Sequence, residues 1–158
     1  MDPWLDQWHR VRRWFDRFTE TNSGRSHTKD SDNYQDEVYA FFQNCYHLKD
    51  WLINDPVTSA LVSDVETMIS HWSDLRLCAD LCNGSKHLLL TRSRASPDTK
   101  IGNRRFSMNL SGGTGDEEPP TVSVQYVVES AGSTFDAYAI AQACMSDWET
   151  YLRGKGLI

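Results

Sequence analysis

Between residues 32 and 54 the apolar side chains leave almost no polar face, and no other stretch constrains the fold as tightly. At about 100° per residue, Val38, Phe41, Phe42, Cys45, Leu48 and Leu52 share one broad side of a helix. Tyr39, Tyr46 and Ile53 widen that side on one flank, and Ala40 and Trp51 on the other. What remains is a stripe roughly 60° wide, holding Asp36, Gln43, His47, Asp50 and Asn54. A helix apolar nearly all round packs on several sides, so this one is expected at the centre with other elements around it. Lys49 breaks the pattern and reads as a stem laid along apolar surface with its ammonium reaching out.

The neighbours follow from the same periodicity. Residues 3–19 place Trp4, Trp8, Val11, Phe15 and Phe18 in one helical stripe, with Pro3 in the first turn and Arg10, Arg13 and Arg17 opposite. Residues 20–33 have no periodicity and predict a polar loop. Asp55 as N-cap and Pro56 at the first helical position predict a third helix, with a stripe of Leu61, Val65, Met68, Ile69, Trp72 and Leu75. It either breaks at Ser73 and Asp74 or continues through Cys78 and Cys82 to Asn83 and Gly84. After Gly84 the period changes to alternation. Strands are expected over 87–92, 105–110 and 121–128, with 111–120 a flexible acidic hairpin loop. A last helix over 135–153 buries Ala137, Ile140, Ala141, Cys144, Trp148, Tyr151 and Leu152. The expectation is a single α+β domain over 1–158, mainly α. A bundle of four to five helices carries a three-stranded antiparallel sheet inserted before the C-terminal helix.

A chain of 158 residues closes such a core without a metal or disulfide. No apolar run reaches membrane-spanning length and no apolar signal segment follows the amino terminus, which predicts a cytoplasmic chain with no membrane contact. Cys45, Cys78, Cys82 and Cys144 are then reduced thiols. Cys78 and Cys82 lie four apart without a second cysteine pair, so no metal and no cofactor is expected. The glycine run at 112–115 lacks the lysine and helix of a phosphate-binding loop. Oligomeric state stays open, a homodimer included.

Net charge is −6, which argues against a uniformly basic nucleic-acid binder. Yet residues 86–105 hold six cations (Lys86, Arg92, Arg94, Lys100, Arg104 and Arg105) against Asp98 alone. A basic segment on an acidic body points to an anionic partner, either RNA or an acidic protein surface. Two polar groupings accompany it. At 83–87, Asn83, Lys86 and His87 gather at a helix-to-strand junction, where they suit an anion or, more plainly, a helix C-terminal cap. On the central helix, His47 and Asp50 share the narrow stripe, and the carboxylate is placed to orient the imidazole. His47, Asp50, Asn83 and His87 are expected to approach one cleft.

A helical core followed by a polar-to-His motif at a helix end resembles the HEPN superfamily of small helical proteins. Many of those are ribonucleases of toxin–antitoxin and antiphage systems. Their motif is an Arg, a polar residue, and a His four to six residues after the Arg. Asn83 stands at the polar position and His87 at the His, but Cys82 stands where the Arg would stabilise phosphate charge. The resemblance covers about 35–87, and 41–51 and 82–88 are also similar to segments of uncharacterised bacterial proteins. It implies a metal-independent ribonuclease with His87 as acid or base, assisted by His47 or Lys86, with Asp50 orienting His47. With Cys82 in place of the Arg, the leading expectation is a non-catalytic module. It would bind RNA or an acidic protein through Asn83, Lys86, Arg92, Arg94, Arg104 and Arg105. An assembly protein docking through its Trp-rich first helix is the third reading.

Overall fold

The computed structural model describes residues 2–26, 31–87, 91–109 and 120–158. Among these, five helices and four strands follow one another: α1 (Pro3–Ser23), β1 (Arg25–Ser26), α2 (Ser31–Asn54), α3 (Val65–His71), α4 (Ser73–Gly84), β2 (Lys100–Asn109), β3 (Thr121–Ser130), β4 (Ser133–Asp136) and α5 (Ala137–Gly154). The class is α+β, mainly α, with the last helix after the strands. No helix among the described residues is long and apolar enough to cross a membrane.

The near-continuous apolar surface of α2 places it as read. Val38, Phe41, Phe42, Cys45, Leu48 and Leu52 are all fully buried, with α1 packed on one side and α4 on the other. Trp4, Trp8, Val11 and Phe18 of α1 are buried, and every residue of the stripe read for α5 is buried too. Truncating one of the fully buried rings, such as Phe41, removes about 3–5 kcal/mol. Lys49 turns out to be a buried cation. Its Nζ lies 2.6 Å from Asp50 Oδ1 and 3.0 Å from Glu66 Oε1, over the Tyr46 ring.

Several boundaries differ from the sequence reading, each for a local reason. The expected loop over 20–33 is shortened because α1 runs on to Ser23, where buried Thr21 donates to Glu37 Oε2 at 3.3 Å. Two residues then form β1, and 27–30 lie outside the described residues. The third helix does not start at Pro56. Asp55 caps a turn instead, accepting from the Val57 N–H at 2.9 Å and from the Trp4 N–H at 3.2 Å. Thr58 donates to the Leu52 carbonyl at 2.7 Å, folding this turn back on the end of α2, so α3 begins only at Val65. Trp72, in extended conformation, parts α3 from α4.

The expected strand over 87–92 is not formed at residues 87, 91 and 92, while 88–90 lie outside the described residues, as does most of the 111–120 loop. The stretch 91–99 has no regular pairing. Its backbone at 94–96 is held by one carboxylate: Asp80 of α4, fully buried, accepts from the backbone N–H groups of Arg94 at 2.7 Å, Ala95 at 2.7 Å and Ser96 at 3.0 Å.

In the sheet, β3 is paired with every other strand. β2 runs antiparallel along it from Lys100 opposite Glu129 to Asn109 opposite Thr121, β1 meets its first two residues, and β4 its last four. The sequence alternation missed β4, Ser133–Asp136, whose last two residues were expected in the helix. Asp136 accepts from the Ala139 N–H at 2.8 Å and caps α5, which starts at Ala137, two residues later than expected. Ala131 (φ 51°) and Gly132 (φ 74°) make the two-residue turn between β3 and β4, with both central residues left-handed, as such hairpins require. A bulge at Gly102 and Asn103 interrupts β2; a Cβ at 102 would overlap the Glu129 side chain, which pairs with Lys100. Val122, Val124, Tyr126 and Val128 of β3 point into the core beneath α1 and α5, while Thr121, Ser123, Gln125, Val127 and Glu129 stay half-buried or exposed.

Candidate functional site

The polar stripe of α2 meets the end of α4. Gln43 donates to the Ser85 hydroxyl at 2.8 Å, and the Lys86 ammonium donates to His47 Nε2 at 2.6 Å. The Cys82 sulfur lies 3.6 Å from the same nitrogen. Burial and the Lys86 charge lower the His47 pKa, against a smaller upward pull from Asp50. The imidazole is therefore neutral at physiological pH, and the lone pair a general base would use is taken up by the ammonium. Burial pushes the Cys82 thiol up to about 11. Asp50 pairs with Lys49 and, with Asn54, lines a cleft of about 350 Å³ beside Pro3 and Trp51.

The 83–87 junction is a helix ending. The Asn83 carbonyl accepts from the backbone N–H of Lys86 and of His87, both at 3.1 Å. The Ser85 hydroxyl donates to the Cys82 carbonyl at 2.7 Å, so a side chain does the capping expected of a left-handed Gly84. His87 is exposed and lines a different cleft, of about 260 Å³, with Tyr39, Gly84, Asp98, Thr99 and Lys100. The structure thus brings His47 to the junction at Lys86 and Cys82, while His87 serves another cleft.

The six cations of the basic segment divide by role. Arg94 is a clamp: its guanidinium pairs with Glu66, donates to Ser70 Oγ at 2.9 Å and reaches the Tyr46 hydroxyl at 3.4 Å. Lys86 is on His47, and Lys100 is 3.4 Å from Glu129. Arg92, Arg104 and Arg105 are exposed, and Arg104 also reaches Gln35 Oε1 at 3.4 Å. A cleft of about 470 Å³ runs across the sheet from the Arg104 and Arg105 side of β2, lined also by Asn103, Gln125, Thr134 and Asp136. Of the first helix's tryptophans, Trp4 and Trp8 lie in the core and Trp14 carries the Arg17 guanidinium 4.7 Å over its ring.

One grouping escaped the sequence reading. Cys45 of α2, Cys78 of α4 and Cys144 of α5 are fully buried, and their three sulfurs lie within 4.8 Å of one another. The Cys78 thiol donates to the Phe42 carbonyl at 3.4 Å. Burial pushes the Cys78 and Cys144 thiols well up. At Cys45 burial pushes the thiol up, but the neighbouring Cys144 and Cys78 thiols outweigh it and bring its pKa down. The available signal was that Cys45 and Cys144 each sit on the buried stripe of their own helix; the spacing along the chain could not show that the stripes meet.

Comparisons with protein-family models, with curated proteins and with solved structures find no match to this chain.

Proposed function

We propose that this protein is a non-catalytic binding module that holds single-stranded RNA along its sheet. The observation that carries the reading is the cleft across β2, β3 and β4, whose lining includes Arg104, Arg105, Asn103 and Gln125, with Asp136 as its one carboxylate. Guanidinium groups neutralise phosphates, and side-chain amides supply both a donor and an acceptor for base edges or 2′-hydroxyls. Binding without cleavage is supported by the engagement of His47 with Lys86. His47 Nε2 is occupied by Lys86, and His87 lines a cleft whose lining does not include His47, so the pairing of the two imidazoles that the ribonuclease reading calls for has no support.

The test is a titration of a labelled oligouridylate across a range of salt. Changing both Arg104 and Arg105 to Ala weakens binding and flattens the salt slope by about 1.4, at roughly 0.7 per neutralised phosphate on a single strand. His87→Ala leaves the slope unchanged. Chelator-resistant cleavage that disappears in His87→Ala would refute the non-catalytic reading in favour of the ribonuclease. Failure of the wild type to bind RNA at low salt, with retention of a polyglutamate peptide, transfers the surface to an acidic protein partner.

A further inference from the structure

We propose that Cys45, Cys78 and Cys144 form a buried three-sulfur site for a soft monovalent cation, copper(I). Three helices that are not consecutive in sequence each deliver one thiol to a single point, with every sulfur within 4.8 Å of the other two. A bound ion that draws the sulfurs slightly together needs no movement of the helix backbones beyond side-chain adjustment. The ligand set decides the class of metal. It contains sulfur alone, with no imidazole or carboxylate in the group, so it selects a soft cation over magnesium or calcium. It supplies three ligands where structural zinc takes four, and the site is too deeply buried for water to complete a tetrahedron. Copper(I) accepts thiolate readily and has no such demand for a fourth ligand.

A second observation points the same way. Trp148 is fully buried, and its indole N–H has no hydrogen-bond partner among the described residues. It lies one helical turn beyond Cys144 on the buried face of α5, an unsatisfied donor beside the three-sulfur group. Outer donors of this kind hold metal-bound thiolates in place. Binding forms copper–sulfur bonds and breaks the S–H bonds of the thiols still protonated, whose protons leave to solvent. No atom changes oxidation state. Cys82, the fourth cysteine, stands apart beside His47 and is outside the site.

The experiment offers the reduced protein, without oxygen, copper(I) as its bicinchoninate complex. The expected result is transfer of one equivalent, an ultraviolet thiolate-to-copper band, and an X-ray absorption spectrum fitted by three sulfurs and no nitrogen or oxygen. Cys144→Ala lowers the affinity at least tenfold, whereas Cys82→Ala leaves it unchanged. Because Cys144→Ala removes a core side chain, the wild-type spectrum decides by itself. A wild type that takes no copper, a nitrogen ligand in the spectrum, or zinc displacing copper from the site each overturns the proposal. An affinity loss in Cys82→Ala equal to that in Cys144→Ala does so as well.

Discussion

Asp80 offers the sharpest mechanical test of the fold. Its carboxylate is fully buried and satisfies three successive backbone donors, Arg94, Ala95 and Ser96, that have no strand partner. A hydrogen bond to a charged group contributes about 1.5–3 kcal/mol. The three amides belong to half-buried or exposed residues and recover water once freed, so their sum stays below three full bonds. Asp80→Ala is therefore expected to cost about 3 kcal/mol, a large share of the roughly 5–15 kcal/mol that holds a domain together. Asp80→Asn is milder. Its amide oxygen keeps the Ala95 and Ser96 pair, but its NH₂ then faces the Arg94 N–H, for a loss of about 1.5 kcal/mol. In urea, with a slope of about 2 kcal/mol/M, the midpoints fall by roughly 1.5 M and 0.7 M. Hydrogen exchange adds the location: the amides of Ala95 and Ser96 lose protection before those of β3. A midpoint shift under about 0.3 M for Asp80→Ala would falsify the assignment of this carboxylate as the anchor of 94–96.

Two further outcomes follow from the titrating groups. Burial, and then the nearby Asp74 and Cys45, raise Asp147 to about 6. The folded state thus holds a proton that the unfolded chain has released, and stability falls as pH rises from about 4 to 6. Asp147→Asn removes that decline, gaining under about 1 kcal/mol near pH 7 after solvent screening and nothing at pH 4. Thermal midpoints measured across that range check it, and an equal gain at both ends refutes the cause. Lys86→Ala releases His47 from the ammonium beside it, so the imidazole titrates higher, nearer the ordinary value of about 6.5. An NMR titration in which His47 is unmoved by the substitution denies the contact.

How far the sequence could be read is visible residue by residue. The central stripe of α2 and the stripe of α5 were legible because a core face repeats with the helix, and Val38, Phe41, Phe42, Cys45, Leu48 and Leu52 are buried, as is every marked residue from Ala137 to Leu152; the flanks of α2 were read too wide, since Trp51 and Ile53 are exposed. β3 was legible from its alternation, and β2 only from Arg105 on, since its first five residues, 100–104, lie outside the expected strand and carry the bulge at Gly102 and Asn103. β1 and β4 were not: two and four residues long, they exist only because β3 offers them backbone partners. Asp55 was recognised as a cap, but the sequence does not say which N–H groups it caps, and Trp4 belongs to another helix. Among the candidate site residues, a cation count cannot separate a clamp such as Arg94 from an outward side chain such as Arg105, since the difference lies in Glu66 and Tyr46 across the fold. Lys49 broke the helical pattern for the same reason, its partner Glu66 being on α3.

That β3 alone joins the sheet has a consequence for how the chain leaves the ribosome. Synthesis delivers the amino end first, so α1 to α4 and then all ten residues of β2 emerge before their common partner exists. During that interval the side of α1 destined for β3 is uncovered, and β2 is a strand with both edges open to pairing with another nascent chain. Lys100, Arg104 and Arg105, together with the bulge at Gly102 and Asn103, repel and misalign such a neighbour. Arg104 and Arg105, assigned above to a phosphate backbone, thus act earlier as gatekeepers together with Lys100, and replacing them is expected to lower the yield of soluble chain before any ligand is met.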